Sequence, residues 1–175
     1  MRMNKILVVI CLFIALGCAN CGGAGSGTAS NGGPQATSHG PATGPLTDDA
    51  YKAEITTPPL PAKMQRGEKA TIVVKVKNLS NVTWPFHGRP TDGYYQVNLG
   101  NIWYDNSNKL ISDHPYVRSG LPNDVQPGQQ VEVPLAITAP NKAGDYTLRI
   151  DLVQEMVCWF SDKGSRAVNT KVRVE

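Results

Sequence analysis

The sequence predicts an all-β fold for residues 48–175, an antiparallel β-sandwich of about seven strands. Three observations lead to this prediction. Apolar and polar residues alternate in four separate runs, which is typical of half-buried strands. Turn signals such as Pro127-Gly128 and Lys163-Gly164 separate these runs. This region also contains no apolar stripe of about twelve residues at helical spacing.

Six runs are predicted as strands. The four clear runs cover 70–76, 131–137, 146–152 and 168–174, and every second position in them is apolar except for Thr170. Two weaker runs cover 51–55 and 97–103. In the last of these, Trp103 shares a face with Val97 and Leu99, so we expect Trp103 to pack between the two sheets. Trp84 is expected in the core as well.

The first 17 residues predict a signal peptide. Arg2 and Lys5 precede eleven apolar residues at 6–16, a run that is shorter than the roughly 20 residues of a membrane-spanning helix. The motif Ala15-Leu16-Gly17-Cys18 resembles the bacterial lipobox, with Ala15 and Leu16 interchanged relative to the usual order. The resemblance implies that Cys18 is acylated and becomes the mature N-terminus. An ordinary secretory signal and an uncleaved anchor are the alternatives.

Residues 18–47 are expected to form a disordered tether between the lipid and the domain. They are rich in Gly, Ser, Thr and Pro, and Leu46 is their one large aliphatic side chain. The lipid would place the protein on a membrane of the cell envelope. Ala19 stands where an Asp commonly marks inner-membrane retention, which favours the outer membrane if the cell is Gram-negative.

The four cysteines predict no metal site and no cofactor. Cys11 leaves with the signal peptide, Cys18 takes the lipid, and the spacing of Cys21 and Cys158 matches no zinc pattern. We expect Cys158 to be a free thiol, with a Cys21–Cys158 disulfide as the alternative in an oxidising compartment.

The charge balance argues against a nucleic-acid partner. Seventeen basic residues stand against fourteen acidic ones, a formal net charge of +3. Arg2 and Lys5 belong to the predicted signal peptide, so the mature chain is close to neutral and has no strong attraction for phosphates.

Six short segments, in order, carry a family resemblance: 78–84, 97–105, 121–128, 139–146, 151–155 and 159–164. Over residues 68–164 the chain resembles a bacterial immunoglobulin-like module associated with glycosyltransferase- and methyltransferase-linked polysaccharide systems. The resemblance implies an immunoglobulin-like sandwich near envelope glycan. It also implies a corner at Ala143-Gly144-Asp145-Tyr146, where Tyr146 hydrogen-bonds back to the main chain.

No catalytic set is recognisable, so we expect no enzyme activity. Asp151 and Glu155 share a strand face, but four residues of a regular strand separate them by roughly 13 Å. Retaining glycosidases need about 5–5.5 Å between the two carboxyl groups and inverting ones about 6.5–9.5 Å, so the pair does not fit unless the strand bends. His87 and His114 have no partner at metal-ligand spacing.

The aromatic residues exceed what one sandwich core holds, and they suggest a binding surface. The candidate binding residues are Arg89, Tyr94, Tyr95, Arg118, Trp159 and Phe160. The first hypothesis is a non-catalytic, membrane-anchored module that binds envelope glycan or exported polysaccharide. The alternative is a protein-interaction or assembly factor, in which a sheet edge pairs with a partner strand.

Overall fold

The computed structural model describes residues 40–112, 114 and 116–175. These residues form nine strands and two 3-10 turns, joined by loops. The 3-10 turns are Asp48–Ala50 and Phe160–Lys163. The strands are β1 Ala53–Thr56, β2 Lys63–Met64, β3 Lys69–Asn78, β4 Val97–Asp105, β5 Val117–Gly120, β6 Gln130–Thr138, β7 Gly144–Gln154, β8 Cys158–Trp159 and β9 Val168–Val174.

The strands form two sheets whose order is that of an immunoglobulin-like sandwich. The three-stranded sheet has the order β1-β3-β6. The six-stranded sheet has the order β2-β9-β7-β4-β5, and β8 pairs with the end of β7. All pairs are antiparallel except β2 with β9. In immunoglobulin terms β4, β7 and β9 correspond to strands C, F and G, and β1, β3 and β6 to A, B and E. The predicted fold class is confirmed.

The core lies between the sheets and is built from the predicted alternation. In β6, Val131, Val133, Leu135 and Ile137 are buried and the residues between them are exposed. Trp103 is 1% exposed and Trp84 is fully buried, so both predictions for these side chains are confirmed. Apolar side chains of both inner faces are removed from water together, which is the main stabilising contribution.

The predicted corner at the start of β7 is present. The Tyr146 hydroxyl donates a hydrogen bond to the main-chain oxygen of Lys142 over 2.8 Å. The Tyr146 ring also packs edge-on against Trp103, with 6.2 Å between ring centroids. The corner therefore joins the loop before β7 to the packing of the strand C tryptophan.

All six predicted runs correspond to strands, namely β1, β3, β4, β6, β7 and β9. The structure adds β2, β5 and β8, which have two, four and two residues. A strand of two residues contains no alternation, so sequence periodicity does not reveal it.

The predicted signal peptide, Cys18, Cys21 and most of the predicted tether lie outside the described residues. The last part of that tether, residues 40–47, is described and contacts the domain. Leu46 donates its amide hydrogen to the Gln154 Oε1 atom over 3.0 Å and packs against the core. Within the described ranges, no helix has the length and apolar character needed to cross a membrane.

Candidate functional site

The six-stranded sheet has a second face, which points away from the core. Because side chains alternate along a strand, the residues between the core positions of β4 and β7 lie on this side. We call it the outer face. The residues that define it are Asn98, Gly100, Ile102, Tyr104, Arg118, Arg149, Asp151, Val153, Glu155, Asn169 and Lys171.

Gly100 lets two large side chains approach the centre of the outer face. A Cβ atom at this position would lie 2.8 Å from the Arg118 Nη1 atom and 3.1 Å from the Trp159 Cη2 atom. Both distances are shorter than van der Waals contact. The glycine is therefore required by the close packing of Trp159 and Arg118 on the sheet.

Trp159 is the centre of a cluster on the outer face. The Arg118 Cζ atom lies 4.3 Å from the centroid of the Trp159 ring and 5.6 Å from that of Tyr116. The Arg118 Nε atom donates to Glu155 Oε1 over 3.2 Å, and Asn98 Nδ2 donates to the same oxygen over 2.9 Å. These contacts hold the guanidinium group between two aromatic rings. We call Asn98, Tyr116, Arg118, Glu155 and Trp159 the Trp159 cluster.

A second cluster lies on the same face beside it. The Arg149 Cζ atom lies 4.7 Å from the centroid of the Tyr104 ring, and Arg149 Nη1 donates to the Tyr104 hydroxyl over 3.1 Å. The Nε atom of Arg149 donates to Asn169 Oδ1 over 3.1 Å. Lys171 Nζ donates to Thr147 Oγ1 over 2.8 Å. We call Tyr104, Thr147, Arg149, Asn169 and Lys171 the Tyr104 cluster.

Three of the predicted binding residues form a third cluster in the loop before β4. The Arg89 Cζ atom lies 5.3 Å from the centroid of the Tyr94 ring and 5.5 Å from that of Tyr95. Arg89 also forms an ion pair with Asp92, and its hydrogen bonds hold the pKa of that carboxyl below its usual value. We call these four residues the Tyr94 cluster.

The Tyr94 and Trp159 clusters meet at Glu155. The Tyr95 amide donates to the main-chain oxygen of Glu155 over 3.1 Å, while the Glu155 side chain accepts from Arg118. Residues that are distant in sequence are thus brought together at Glu155.

Phe160 corrects the list of binding candidates. It is fully buried and packs edge-on against Tyr51 and Trp84, with 5.1 Å between ring centroids in each pair. The 3-10 turn Phe160–Lys163 begins directly after β8 and directs this side chain into the core. Phe160 therefore has a structural role, and Trp159 alone of the two faces outward.

Asp151 and Glu155 have separate partners. The Asp151 carboxylate accepts hydrogen bonds from the amides of Leu152 and Ser161, over 2.8 and 3.1 Å. Asp151 is fully buried, and burial raises the pKa of its carboxyl. Its hydrogen bond with the Ser161 amide attaches the 3-10 turn, which follows β8, to strand β7.

Cys158 is a free thiol in the structure, and Cys21 lies outside the described residues. Burial raises the pKa of the Cys158 thiol, so this group stays protonated and weakly nucleophilic at neutral pH. Across the described part of the chain, no group of three or more His, Cys, Asp or Glu side chains is placed to hold a metal ion.

Several members of the clusters were not among the sequence candidates. Tyr104, Arg149 and Lys171 were missed, as was the role of Asn98. Their signal was present in the sequence, because they occupy the positions of β4, β7 and β9 that alternate with the core residues. Aromatic and basic residues at those positions mark the outer face.

No known protein family matches the sequence, and no curated protein matches it either. Distant similarities to solved structures exist. A β-glucosidase from Listeria innocua in complex with glucose is 13% identical with a TM-score of 0.41, and the match covers 70% of this chain and 16% of the glucosidase. A CARDB domain from Pyrococcus furiosus in complex with di-metal ions is 17% identical with a TM-score of 0.37, covering 70% of this chain and 90% of that domain.

A third similar structure is an alkylpurine DNA glycosylase from Pseudomonas fluorescens bound to DNA with an abasic site analogue. It is 8% identical with a TM-score of 0.42, and the match covers 71% of this chain and 30% of the glycosylase. The chain thus spans a small part of both enzymes. Nothing about its own function follows from similarities at this level.

Proposed function

We propose that this chain is a non-catalytic binding module of the bacterial cell envelope, held on a membrane by a lipid at Cys18, and that it binds glycan on the outer face. The ligand would be an envelope glycan or an exported polysaccharide. The resemblance of residues 68–164 to modules of polysaccharide systems supports a location near envelope glycan. The Trp159 cluster supports the outer face as the binding surface.

The observation that carries the proposal is the composition of the Trp159 cluster. Aromatic rings offer flat apolar surface, and tryptophan and tyrosine are suited to contacts that are apolar on one side and wet on the other. Sugar rings have apolar faces edged by hydroxyl groups. Tyr116 is 49% exposed and lies beside Arg118, and the partly exposed side chains of Arg118 and Glu155 carry donors and acceptors for hydroxyls.

The experiment compares Tyr116→Ala with Val73→Ala. Both side chains are 49% exposed, but Val73 lies on the three-stranded sheet and outside the clusters. Binding of cell-envelope polysaccharide fractions to the full chain would be measured by isothermal titration calorimetry. We expect Tyr116→Ala to weaken binding several-fold and Val73→Ala to leave it unchanged. Equal affinity of both variants and the wild type would contradict the proposed surface.

A second candidate function is supported by the edge of the three-stranded sheet. Ile55 of β1 sits at a ladder position where its main-chain N–H and C=O point away from β3. A groove of about 470 Å³ runs beside it, lined by residues 53–56 and 166–169 and by Leu79, which is 51% exposed. An extended segment of a partner protein would add to this edge as a strand.

Photo-crosslinking in cells distinguishes the two functions. A crosslinking residue at position 55 should give a discrete protein adduct if a partner strand binds there, and the same residue at position 73 should not. Adducts of equal yield at both positions would reject strand addition.

A further inference from the structure

From the charges on the outer face, we infer that the glycan site selects anionic sugar residues and that Arg149 and Lys171 bind the anionic group. This inference rests on the proposed function and adds the chemical class of the ligand. It places the charged subsite in the Tyr104 cluster, beside the aromatic surface of the Trp159 cluster.

The basic side chains of the six-stranded sheet fall into two groups. Three of them have a carboxylate partner: Lys63 pairs with Glu175 over 2.8 Å, Arg118 with Glu155 over 3.2 Å, and Arg173 with Asp145 over 2.8 Å. Arg149 and Lys171 differ. Their hydrogen-bond partners among the described residues are neutral: the Tyr104 hydroxyl, the Asn169 amide oxygen and the Thr147 hydroxyl.

Arg149 is held in a fixed position while part of its hydrogen-bonding capacity stays free. Its Nε and Nη1 atoms donate to Asn169 and Tyr104, and its guanidinium group lies over the Tyr104 ring. A guanidinium group has five N–H donors. The remaining donors suit a carboxylate, which arginine binds through two parallel hydrogen bonds. Because the group is already oriented, little side-chain entropy is lost when a ligand binds.

Lys171 is placed to contact the same ligand. In the pairing of β7 with β9, Arg149 lies opposite Asn169 and Thr147 opposite Lys171, so the two cations are diagonal neighbours on one face. Diagonal neighbours on a sheet are about 7–8 Å apart, which brings one anionic group within reach of both long side chains. The hydrogen bond from Lys171 to Thr147 keeps the ammonium group on this face.

The carboxylate of β7 that is nearest to Arg149 attracts the guanidinium group but forms no ion pair with it. Asp151 follows Arg149 by two residues, but its two oxygens accept hydrogen bonds from the main-chain amides of Leu152 and Ser161. It is fully buried, whereas Lys171 is exposed. Two adjacent cations without an ion-pair partner repel each other, and a bound anion relieves that repulsion.

The test measures binding of the full chain to three polymers by isothermal titration calorimetry. Polygalacturonate carries carboxylates on its sugar rings, dextran sulfate carries sulfate esters, and dextran is uncharged. We expect polygalacturonate to bind more tightly than dextran. Arg149→Gln and Lys171→Gln should each weaken polygalacturonate binding about tenfold or more, because a hydrogen-bonded charge contact is lost. Dextran binding should be unaffected by either substitution.

Arg173→Gln is the matched control. It removes the same charge from the same sheet, but Arg173 is already paired with Asp145. Its expected effect on polygalacturonate affinity is less than about threefold, since an exposed paired charge contributes little. Arg149→Lys keeps the charge and loses the bidentate geometry, so its affinity should fall between those of the wild type and Arg149→Gln. Thermal unfolding of each variant would show that the fold is intact.

Each outcome bears on the inference. An equal loss for Arg149→Gln and Arg173→Gln would overturn it, because the attraction would then be a general charge effect. Equal binding of dextran and polygalacturonate would also overturn it while leaving the proposed function standing. Dextran sulfate that binds like polygalacturonate, with the same sensitivity to Arg149→Gln, supports an anion site that accepts either group. Binding to vesicles with anionic lipids, without binding to any polysaccharide, would overturn both proposals.

Discussion

Trp159 and Phe160 are adjacent in the chain and have opposite environments. Trp159 contacts Arg118 on the outer face, whereas Phe160 lies fully buried between Tyr51 and Trp84. Both are large aromatic residues in an apolar segment, and the sequence offers no reason to separate them. The separation comes from the change of backbone direction where β8 ends and the 3-10 turn begins.

Replacing Trp103 by Ala should destabilise the domain severely. Trp103 is 1% exposed and lies in the core between the sheets. Removal of a buried tryptophan typically costs about 3–5 kcal/mol, against a usual total stability of about 5–15 kcal/mol. Chemical denaturation measures the loss. Trp159→Ala is the comparison, and it should cost less stability because Trp159 is partly exposed. Equal midpoints for Trp103→Ala and the wild type would show that this side chain does not support the core.

Gly100→Ala should displace the Trp159 cluster without unfolding the sandwich. The new Cβ atom would lie 2.8 Å from Arg118 Nη1 and 3.1 Å from the Trp159 ring, so both side chains must move. We expect a change in tryptophan fluorescence and weaker glycan binding. Gly120→Ala is the control on the neighbouring strand, where the nearest atom would be Asn98 Oδ1 at 3.9 Å, an ordinary contact. If both variants gave the wild-type spectrum, the close approach at Gly100 would be unimportant.

The strands differ in how well the sequence predicts them, and the reason is burial. β6 has one buried face and one exposed face, so its alternation is plain. β4 is buried on both faces from Val97 to Trp103, and Trp159 and Arg118 lie over its outer side at Gly100. Its alternation is therefore weak in the sequence. β8 is defined only by its pairing with β7, which no local pattern predicts.

The free energy of unfolding should depend on pH through Asp151, whose carboxyl attaches the turn that follows β8 to strand β7. Burial raises the pKa of this carboxyl above its ordinary value of 3.8. The folded state therefore binds the proton more tightly than the unfolded state, and stability falls as the pH rises from about the ordinary value through the folded-state pKa. The contribution is fully present at lower pH.

Asp151→Asn removes this titration. The free energy of unfolding, measured by urea denaturation from pH 4 to 8, should fall with rising pH in the wild type relative to the variant. Exposed carboxyls with lowered pKa values, such as Glu175, act in the opposite direction but are common to both proteins. A constant difference between the two proteins over this range would mean that Asp151 does not titrate there.

At the scale of the whole molecule, the two sheets present different surfaces. On the three-stranded sheet, exposed residues such as Val73 and Lys75 alternate with buried ones. The outer face of the six-stranded sheet shows two neighbouring clusters of aromatic, basic and amide side chains, and the Tyr94 cluster meets one of them at Glu155. The sequence predicted Arg118 and Trp159 as binding residues, yet it did not show that they touch. That contact requires the pairing of β5, β4, β7 and β8, which only the fold supplies.

Replacement of Cys18 by Ala should release the protein from membranes or leave an unprocessed precursor. The prediction follows from the resemblance of Ala15-Leu16-Gly17-Cys18 to a lipobox. Metabolic labelling with a fatty-acid probe is the measurement. Cys158→Ala is the control, since Cys158 lies in the folded domain. Equal labelling of the wild type and Cys18→Ala would refute lipidation at this residue.

Gln154 is one of the points at which a mechanical load on segment 40–47 would enter the domain. Its buried side chain bonds to Leu46 and Gly44 of the segment 40–47, and also to the main-chain oxygen of Tyr95. Tension applied at residue 40 therefore reaches the loop before β4 through the Gln154 side chain and through the hydrogen bond from the Ala42 amide to the main-chain oxygen of His87. A few hydrogen bonds resist that pull, whereas nine paired positions join β4 to β7. We therefore expect segment 40–47 to yield first, while the sandwich with its outer face keeps its shape under the load.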